Sequence, residues 1–582
     1  MTDGPGTAPP LTGATALLRV LRSEGLRHVF GVAGGKLAPL LHGIAGEAGL
    51  RYLGLRHEAA GPMMAAAIAA AGGGVAVALA EMGPGALNLL AGTGGAAANH
   101  LPLLLVTTNQ HRAAAYPHAG LFMDLDTTAL FRPLVKWSAV VSDARRMPEL
   151  VRRALREALS GAPGPVHLDI PHDVLTQPCA IDPRWLDSPA ESWRAAEGPR
   201  PAASSVAQAA ALLASARRPL IVAGGGAVAS GAEAALDALA ERLGAAVVPT
   251  QMAVGTVPTD SPRFIGQGGI IGGEAVLEAF ARADLVLAVG CRFSSWLWDE
   301  RGPLARPPQR IIAVNIDPSA LGGLVPHDVA MPADARLALE DLLAALEGRS
   351  IATEPGWLEG LRATRLRYEA RLLPADDGNP VMHPAALAHA IGAALPADAL
   401  ATYDGGHTSF WSNDLTPALA PRTRLHEPGM CQLGFGLPAA LALQLLHPGR
   451  MVVNLTGDGA FGFTLQELDT ARREGLPVIS IVHNNAAWGV IAFGQSRGGK
   501  APFGTGLEGT DYAAIARGFG CHGEVLTRAE EVSPALARAR ASGLPAVLDC
   551  RTRFVPHPCM PAFGRMNRYG FEAFAPPGAE PG

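Results

Sequence analysis

The sequence predicts an α/β protein built from three doubly wound parallel-sheet domains, and two observations carry that expectation. One pattern recurs in three blocks: a short apolar run, a Gly-rich turn, then an Ala/Leu-rich amphipathic stretch. Apolar strands alternating with helices imply parallel sheets covered on both faces. Two segments break this pattern. Residues near 180–205 are rich in Pro, Ser and Ala, and residues near 346–382 are polar around a charged helix. Both read as linkers. The blocks they separate are 1–180, 205–345 and 383–560, with a tail over 561–582. Three or so domains suits a chain of 582 residues.

In the first block, VAVALAEMGPGALNLLAG reads strand, turn, helix. In the second, RPLIVAGGGAVASGAEAALDALAERLG repeats it and ADLVLAVGCRF supplies another strand. In the third, RMVVNLTGDGAFGFTLQELDTARREGLPVISIVHNN reads strand, turn, helix, strand. Ligands in such sheets bind at the carboxyl ends of the strands, where the Gly-rich turns lie.

Bulk properties exclude several classes of function. A chain that is 48% hydrophobic and 17% charged is too apolar for disorder. The net charge is −5, lysines occur only at 36, 136 and 500, and no dense Lys/Arg run marks a nucleic-acid footprint. Six cysteines (Cys179, Cys291, Cys431, Cys521, Cys550, Cys559) form no C-x-x-C pair. They read as reduced, buried thiols. The N-terminal MTDGPGTAPPLTG has no secretory pattern, and apolar windows such as Leu101 to Thr108 are too short to span a bilayer. A soluble, cytoplasmic protein acting on small molecules is expected.

The sharpest chemical signal is in the third block. Gly457-Asp458-Gly459 follows an apolar strand, and Asn484-Asn485 ends the next one, about 27 residues later. A strand–helix–strand unit has that length, so the two strand ends return side by side. Asp458 and the Asn485 side-chain oxygen then make a small all-oxygen site suited to hard Mg²⁺, with diphosphate oxygens completing an octahedron. The glycines let backbone amides approach phosphates closely, and the following helix points its positive end at them. Taken alone, a G-D-G is more often a tight turn; its pairing with Asn485 makes the functional reading.

The C-terminal block resembles the diphosphate-binding domain of thiamine-diphosphate (ThDP) enzymes, and its details resemble the acetolactate synthase large-subunit branch. Met430-Cys431-Gln432-Leu433-Gly434-Phe435-Gly436-Leu437-Pro438-Ala439-Ala440 matches that family's run before the G-D-G strand. The resemblance implies that Leu433 props the coenzyme into a bent shape and that the Cys431 carbonyl accepts from its aminopyrimidine. It makes Ala487, through its carbonyl, a third Mg²⁺ ligand beside Asp458 and Asn485. Gly457, Gly459 and Ala460 become diphosphate contacts, and Asp404-Gly405-Gly406-His407 fits the family's earlier diphosphate loop, giving Gly406 and His407. A lone His407 would otherwise read as a structural loop residue.

LRHEAAGPMMAAAIAAAGGGVAVALAEMGPGALN resembles the family's pyrimidine-binding domain, with Glu58 at the catalytic glutamate. The chemistry needs a carboxyl there, because one hydrogen-bonded to N1′ of the aminopyrimidine promotes loss of the thiazolium C2 proton. Read alone, His57-Glu58 is a polar pair opening a helix. VFGVAGG at 29–35 and MGPGALN at 82–88 follow strands at the expected places. In this family one site draws its halves from two subunits, which implies Glu58 of one chain facing Asp458 of another in a homodimer or homotetramer.

The middle block carries less. IVAGGGAVASGAEAAL could be a dinucleotide turn, but the next strand, AAVVPT, ends at Thr250 without the acidic residue that NAD binding wants. The family uses this block to hold FAD, ADP or nothing. Arg292 matches a flavin-binding arginine, while Gln267-Gly268-Gly269 replaces the family's Met-His-Gly flavin segment.

The resemblance runs from about residue 11 to 560, and its departures cluster where substrate would lie. The family's Phe-Gln is Phe122-Met123, its Asp-Ser before a Pro is Asn99-His100, and the Lys of its Pro-Lys-Asp is His172. Met123 cannot donate a hydrogen bond as Gln does, so a polar handle is lost. Gly34, Gly35, Phe122, Met123 and Trp488 are the substrate-side candidates; core packing at a strand end is the alternative for Trp488. The resemblance implies ThDP- and Mg²⁺-dependent decarboxylation of a 2-oxo acid, pyruvate first, with transfer of the acyl-anion unit to a second carbonyl. The alternatives are a simple 2-oxo acid decarboxylase or lyase, a flavin-dependent oxidoreductase using the central domain, and a non-catalytic binder. Retention of Glu58, Asp458 and Asn485 together argues against the last.

Overall fold

The computed structural model describes residues 10–560, apart from 47–48, 116, 300–301, 374–377 and 498; the tail expected over 561–582 lies outside the described residues. The described chain forms two compact units. The first holds the chain up to Ala196 with Leu441–Leu446 and Gln466–Glu474, and the second holds the rest. No helix among the described residues is long and apolar enough to cross a membrane.

The first unit is built on six parallel strands. Their spatial order is Arg51–Gly54, His28–Gly31, Val77–Ala80, Leu104–Asn109, Val166–Pro171 and Trp137–Val140. Helices on its faces bury apolar residues at helical spacing, Leu17 and Leu21 on Gly13–Ser23, Val151 and Leu155 on Met147–Leu159. The chain steps from His28–Gly31 out to the edge strand and then crosses back to Val77–Ala80. That reversal opens a crevice at the carboxyl ends of these two strands.

The second unit contains two parallel sheets besides a short antiparallel pair, Trp298–Asp299 with Gly302–Pro303. One has five parallel strands ordered Val329–Pro332, Arg310–Asn315, Leu285–Val289, Pro219–Ala223 and Ala246–Pro249. The other has six, ordered Arg424–His426, Leu400–Asp404, Val452–Gly457, Ile479–Asn484, Ala546–Arg551 and His522–Leu526. Counted along the chain, this six-stranded sheet repeats the strand order of the first unit's sheet. Its reversal falls between Leu400–Asp404 and Val452–Gly457, so the Gly405-Gly406 and Gly457-Asp458-Gly459 turns meet at one crevice.

The Gly-rich turn of the middle block has a packing explanation. The Gly224 amide donates to the Val289 carbonyl (2.8 Å), and a Cβ on Gly224 would lie 2.2 Å from the Gly290 carbonyl oxygen. Glycine is needed there because two strand-end backbones touch.

Neither segment read as a linker is a bare connection. In 180–205, Asp182 caps a short helix, Pro183–Asp187, and the buried Arg152 guanidinium donates to the carbonyls of Trp185, Leu186 and Ser188. Arg152 also pairs with buried Glu24 at 2.9 Å and lies over the Trp193 ring. In 346–382 the charged helix exists as Trp357–Leu372, but Trp357 and Leu361 are buried in the central core. Trp357 Nε1 donates to the Pro219 carbonyl at 3.0 Å. Residues 180–196 belong to the first unit, whereas 197–205 and the described part of 346–382 belong to the second.

Candidate active site

Glu58 sits in the turn between the edge strand Arg51–Gly54 and helix Ala60–Ala70, half-buried. Its Oε2 accepts from Asn88 Nδ2 at 2.9 Å. A Cβ on Gly85 would crowd its Oε1 at 3.3 Å, so the glycine of the G-P-G turn leaves room at this oxygen. The turn carrying Glu58 is pinned from far along the chain: the fully buried Glu467 carboxylate accepts the Arg56 amide at 3.2 Å and the His57 amide at 3.1 Å.

Gly34, Gly83 and Met123 gather at the same carboxyl edge. A Cβ on Gly34 would strike Glu81 Oε2 at 2.0 Å, and a Cβ on Gly83 would lie 2.8 Å from the Met123 Cβ. Glu81 Oε1 also accepts the Lys36 amide (3.1 Å), so a carboxylate stands beside Gly34 and Gly35. Phe122 is 82% exposed, and Met123 holds φ +62.

The remaining predicted residues lie in the second unit, in one cavity of about 270 Å³. Gly406, His407, Cys431, Leu433, Gly457, Asp458, Gly459, Ala460, Asn485, Ala487 and Trp488 all line it. The register explains the meeting: Gly457 pairs with His483 in the parallel ladder, so Asp458 and Asn485 leave adjacent strand ends.

Asp458 is 4% exposed. Its Oδ1 accepts the Gly459 amide at 2.8 Å, while Oδ2 has no hydrogen-bond partner among the described residues. Burial pushes its carboxyl up to about 6, opposed by nearby amides. A buried carboxylate with one unmet oxygen is a position that a cation would satisfy. The Tyr512 hydroxyl donates to the Asp458 carbonyl at 2.9 Å, and the Asn485 side-chain oxygen accepts the Ala487 amide at 3.1 Å. Among the described residues no cluster of three His, Cys, Asp or Glu side chains could hold a metal. One carboxylate, one carboxamide oxygen and one carbonyl instead suit Mg²⁺ that takes further oxygens from a diphosphate. Gly459 is required by its neighbour, since a Cβ would meet the Trp488 ring at 2.5 Å.

Two carboxylates brace the Leu433 loop: Glu427, which the sequence reading missed, and Asp404, which it placed only within the diphosphate loop. Glu427 accepts the amides of Met430 (2.8 Å) and Gln432 (2.7 Å), which flank Cys431 at φ +52. A non-glycine residue held there costs about 1–3 kcal/mol and persists only when its surroundings fix it. Asp404 accepts the amides of Gly434 (3.1 Å) and Gly436 (2.9 Å), and burial pushes its carboxyl up to about 7. A sequence signal for Glu427 did exist: His426-Glu427 follows its edge strand as His57-Glu58 follows the equivalent strand of the first sheet. No local pattern marks Glu467 or Glu81.

His407 lines the cavity with its ring held by the protein. Its Nε2 lies 2.6 Å from the Val555 carbonyl, which can only accept. That puts the proton on Nε2 and leaves Nδ1 an acceptor, and burial lowers the ring to about 4. The Gly405-Gly406 turn lines the cavity beside it. The cavity also holds Ser409 Oγ and both His483 ring nitrogens without hydrogen-bond partners among the described residues.

Three family models match the chain in the order of its sheets. They are the thiamine pyrophosphate enzyme N-terminal TPP binding domain over residues 11–130, the central domain over 206–342, and the C-terminal TPP binding domain over 404–550. The chain is 36% identical over 519 residues to "Probable 2-ketoarginine decarboxylase AruI" of Pseudomonas aeruginosa, covering 88% of this chain and 89% of that protein. It is 32% identical over 560 residues to the acetolactate synthase large subunit of Parasynechococcus marenigrum, covering 93% and 88%. It is 30% identical over 534 residues to the acetolactate synthase isozyme 2 large subunit of Escherichia coli, covering 90% and 93%. With a parallel sheet for each domain and a crevice at each of the two reversals, the chain belongs to the thiamine pyrophosphate enzymes, within the acetolactate synthase-like branch of carboligases and decarboxylases.

Proposed function

We propose that the protein is a ThDP- and Mg²⁺-dependent enzyme that decarboxylates a 2-oxo acid and transfers the acyl-anion unit to a second carbonyl. The observation that carries the proposal is the unmet Asp458 Oδ2 beside Asn485 and Ala487 at the sheet reversal. When bound, the coenzyme supplies the nucleophilic carbon and accepts the electron pair released with CO₂.

The chain's own residues do the rest. Asp458, the Asn485 side-chain oxygen and the Ala487 carbonyl would hold Mg²⁺, with Tyr512 keeping the Asp458 backbone in place. Leu433, fixed between the Glu427- and Asp404-braced amides, is a rigid apolar wall. Glu58 keeps Oε2 on Asn88 with room at Oε1, the arrangement of a carboxyl that holds and releases one proton. Arg292 is the residue that a flavin in the central domain would meet; the proposed reaction is redox-neutral and uses none.

Large apolar side chains lie exposed around each half-site: Leu87 (50%) and Phe122 (82%) in the first unit, Ile491 (56%) and Phe463 (56%) in the second. Apolar surface grouped this way marks an interaction face. A second copy of the chain is the proposed partner, bringing Glu58 of one protomer to the metal pocket of its partner.

A second reading, simple decarboxylation of a cationic 2-oxo acid, is favoured by Glu81, whose carboxylate beside Gly34 and Gly35 could accept a guanidinium such as that of 2-ketoarginine. Loss of a polar handle at Met123 also favours it. Incubating the enzyme with ThDP, Mg²⁺ and either pyruvate or 2-ketoarginine, plus a panel of aldehydes and 2-oxo acids, separates the two. Mass spectrometry is expected to show ligated products from pyruvate. CO₂ and aldehyde from 2-ketoarginine alone would establish the second reading instead.

A further inference from the structure

A second cavity in the second unit, of about 310 Å³, shares no lining residue with the first. Its lining includes Asn413, on helix Gly406–Leu415, and Gln267, in the loop before helix Gly273–Arg282. Both carboxamides are deeply buried, at 8% and 3% exposure. Among the described residues, Asn413 Nδ2 and Oδ1 and Gln267 Oε1 have no hydrogen-bond partner. Leaving such groups unmet is costly, because each has given up its hydration without a replacement bond. Gln267 is not free to turn away with its backbone: Gly266 sits at φ +128 and a Cβ on Gly272 would strike the Gln267 carbonyl oxygen at 2.1 Å.

The charges around this floor select the ligand. Arg365 is already engaged, through Nε to Glu369 (2.7 Å), Nη1 to the Phe264 carbonyl (2.9 Å), and its plane over the Phe264 ring (4.4 Å). Asp414 accepts from the Tyr368 hydroxyl at 2.8 Å and faces His557 Nε2 at 3.3 Å. Two carboxylates thus stand with one guanidinium and the His389 imidazole in the lining, and the open positions on the floor include two acceptor oxygens. An anion meets net repulsion there, whereas a compact cation with several N–H donors meets acceptors on the floor and walls.

We propose that this cavity is a binding site for a small organic ammonium compound, separate from the coenzyme cavity. The occupant would seat on the last turn of the helix whose first turn carries Gly406 and His407.

Full-length protein titrated with 1,4-diaminobutane, against 1-butanol and butyrate at matched ionic strength, tests this by calorimetry and thermal melting. The diamine is expected to bind saturably and raise the midpoint, with neither control doing so. Asn413→Leu is expected to weaken binding at least tenfold. Asn413→Asp, which keeps the shape and adds a carboxylate, is expected to tighten it and covers the case in which the apolar variant does not fold. Equal binding of butyrate, an unchanged affinity in both variants, or a diamine-soaked crystal holding only ordered water in the cavity would overturn the proposal.

Discussion

In the proposed reaction Glu58 concentrates the chemistry into one atom. Asn88 occupies Oε2 and the G-P-G turn leaves room at Oε1, so Glu58→Gln keeps the shape and the Asn88 contact while losing the acid. It is expected to leave circular dichroism and ThDP affinity unchanged and to lower turnover about 10²–10⁴-fold; a wild-type rate would remove Glu58 from the reaction. Asp458 is the complementary case, because its unmet Oδ2 needs a cation. Chelating Mg²⁺ is expected to weaken ThDP binding at least tenfold by calorimetry, and an affinity indifferent to chelator would refute the metal pocket. Asp458 stood out in the sequence because it sits at a strand end between two glycines, whereas Glu58 stood out only through the resemblance of its whole segment to the family. The residues that hold them did not. Glu467 lies 411 positions from Arg56, and nothing in its own neighbourhood marks it as the brace of the Glu58 turn.

At the scale of elements, the strand–turn–helix units emerged where the alternation placed them, and the two six-stranded sheets share one order of strands. What the pattern could not show was which irregular pieces are held down. The 180–205 strap is fastened by Arg152, whose partner Glu24 is 128 residues away. Helix Trp357–Leu372 carries six charged side chains and is anchored by Trp357 and Leu361. Two apolar anchors amid arginines look like a solvated helix until the surface they meet is known. The Glu58 turn is an element of the same kind, positioned by a remote carboxylate accepting two amides. Removing that carboxylate in Glu467→Ala is expected to reduce kcat about a hundredfold through misplacement of the turn, with coenzyme affinity little changed. Glu467→Gln retains one acceptor oxygen and should recover part of the loss; identical kinetics in the two variants would deny the brace.

For the whole molecule, buried neutral histidines set the acid limit. Burial holds His167 down to about 3 and His426 down to about 4, against an ordinary 6.5. The unfolded chain takes up these protons as pH falls through 6.5, while the folded chain resists. The contribution of these histidines to stability is therefore complete above about pH 6.5 and declines toward pH 4 and below, with the raised Asp404 and Asp458 carboxyls opposing it in part. Urea midpoints measured from pH 8 to 4 should fall across that window. His167→Gln, which can keep bonds to Thr107 and Ser138, should flatten the decline, and an unaltered slope would exclude His167. Assembly is the larger question at this scale, since the predicted site residues are divided between two units and the proposed enzyme needs two copies to complete a site. Glu58→Gln and Asp458→Asn can be co-expressed with different tags and the hybrid dimer purified by both. Each parent homodimer should be nearly inactive, whereas the hybrid carries one site with neither change and should regain about half the wild-type turnover per dimer. A hybrid as inactive as its parents would place both groups in a single chain's site and contradict the account.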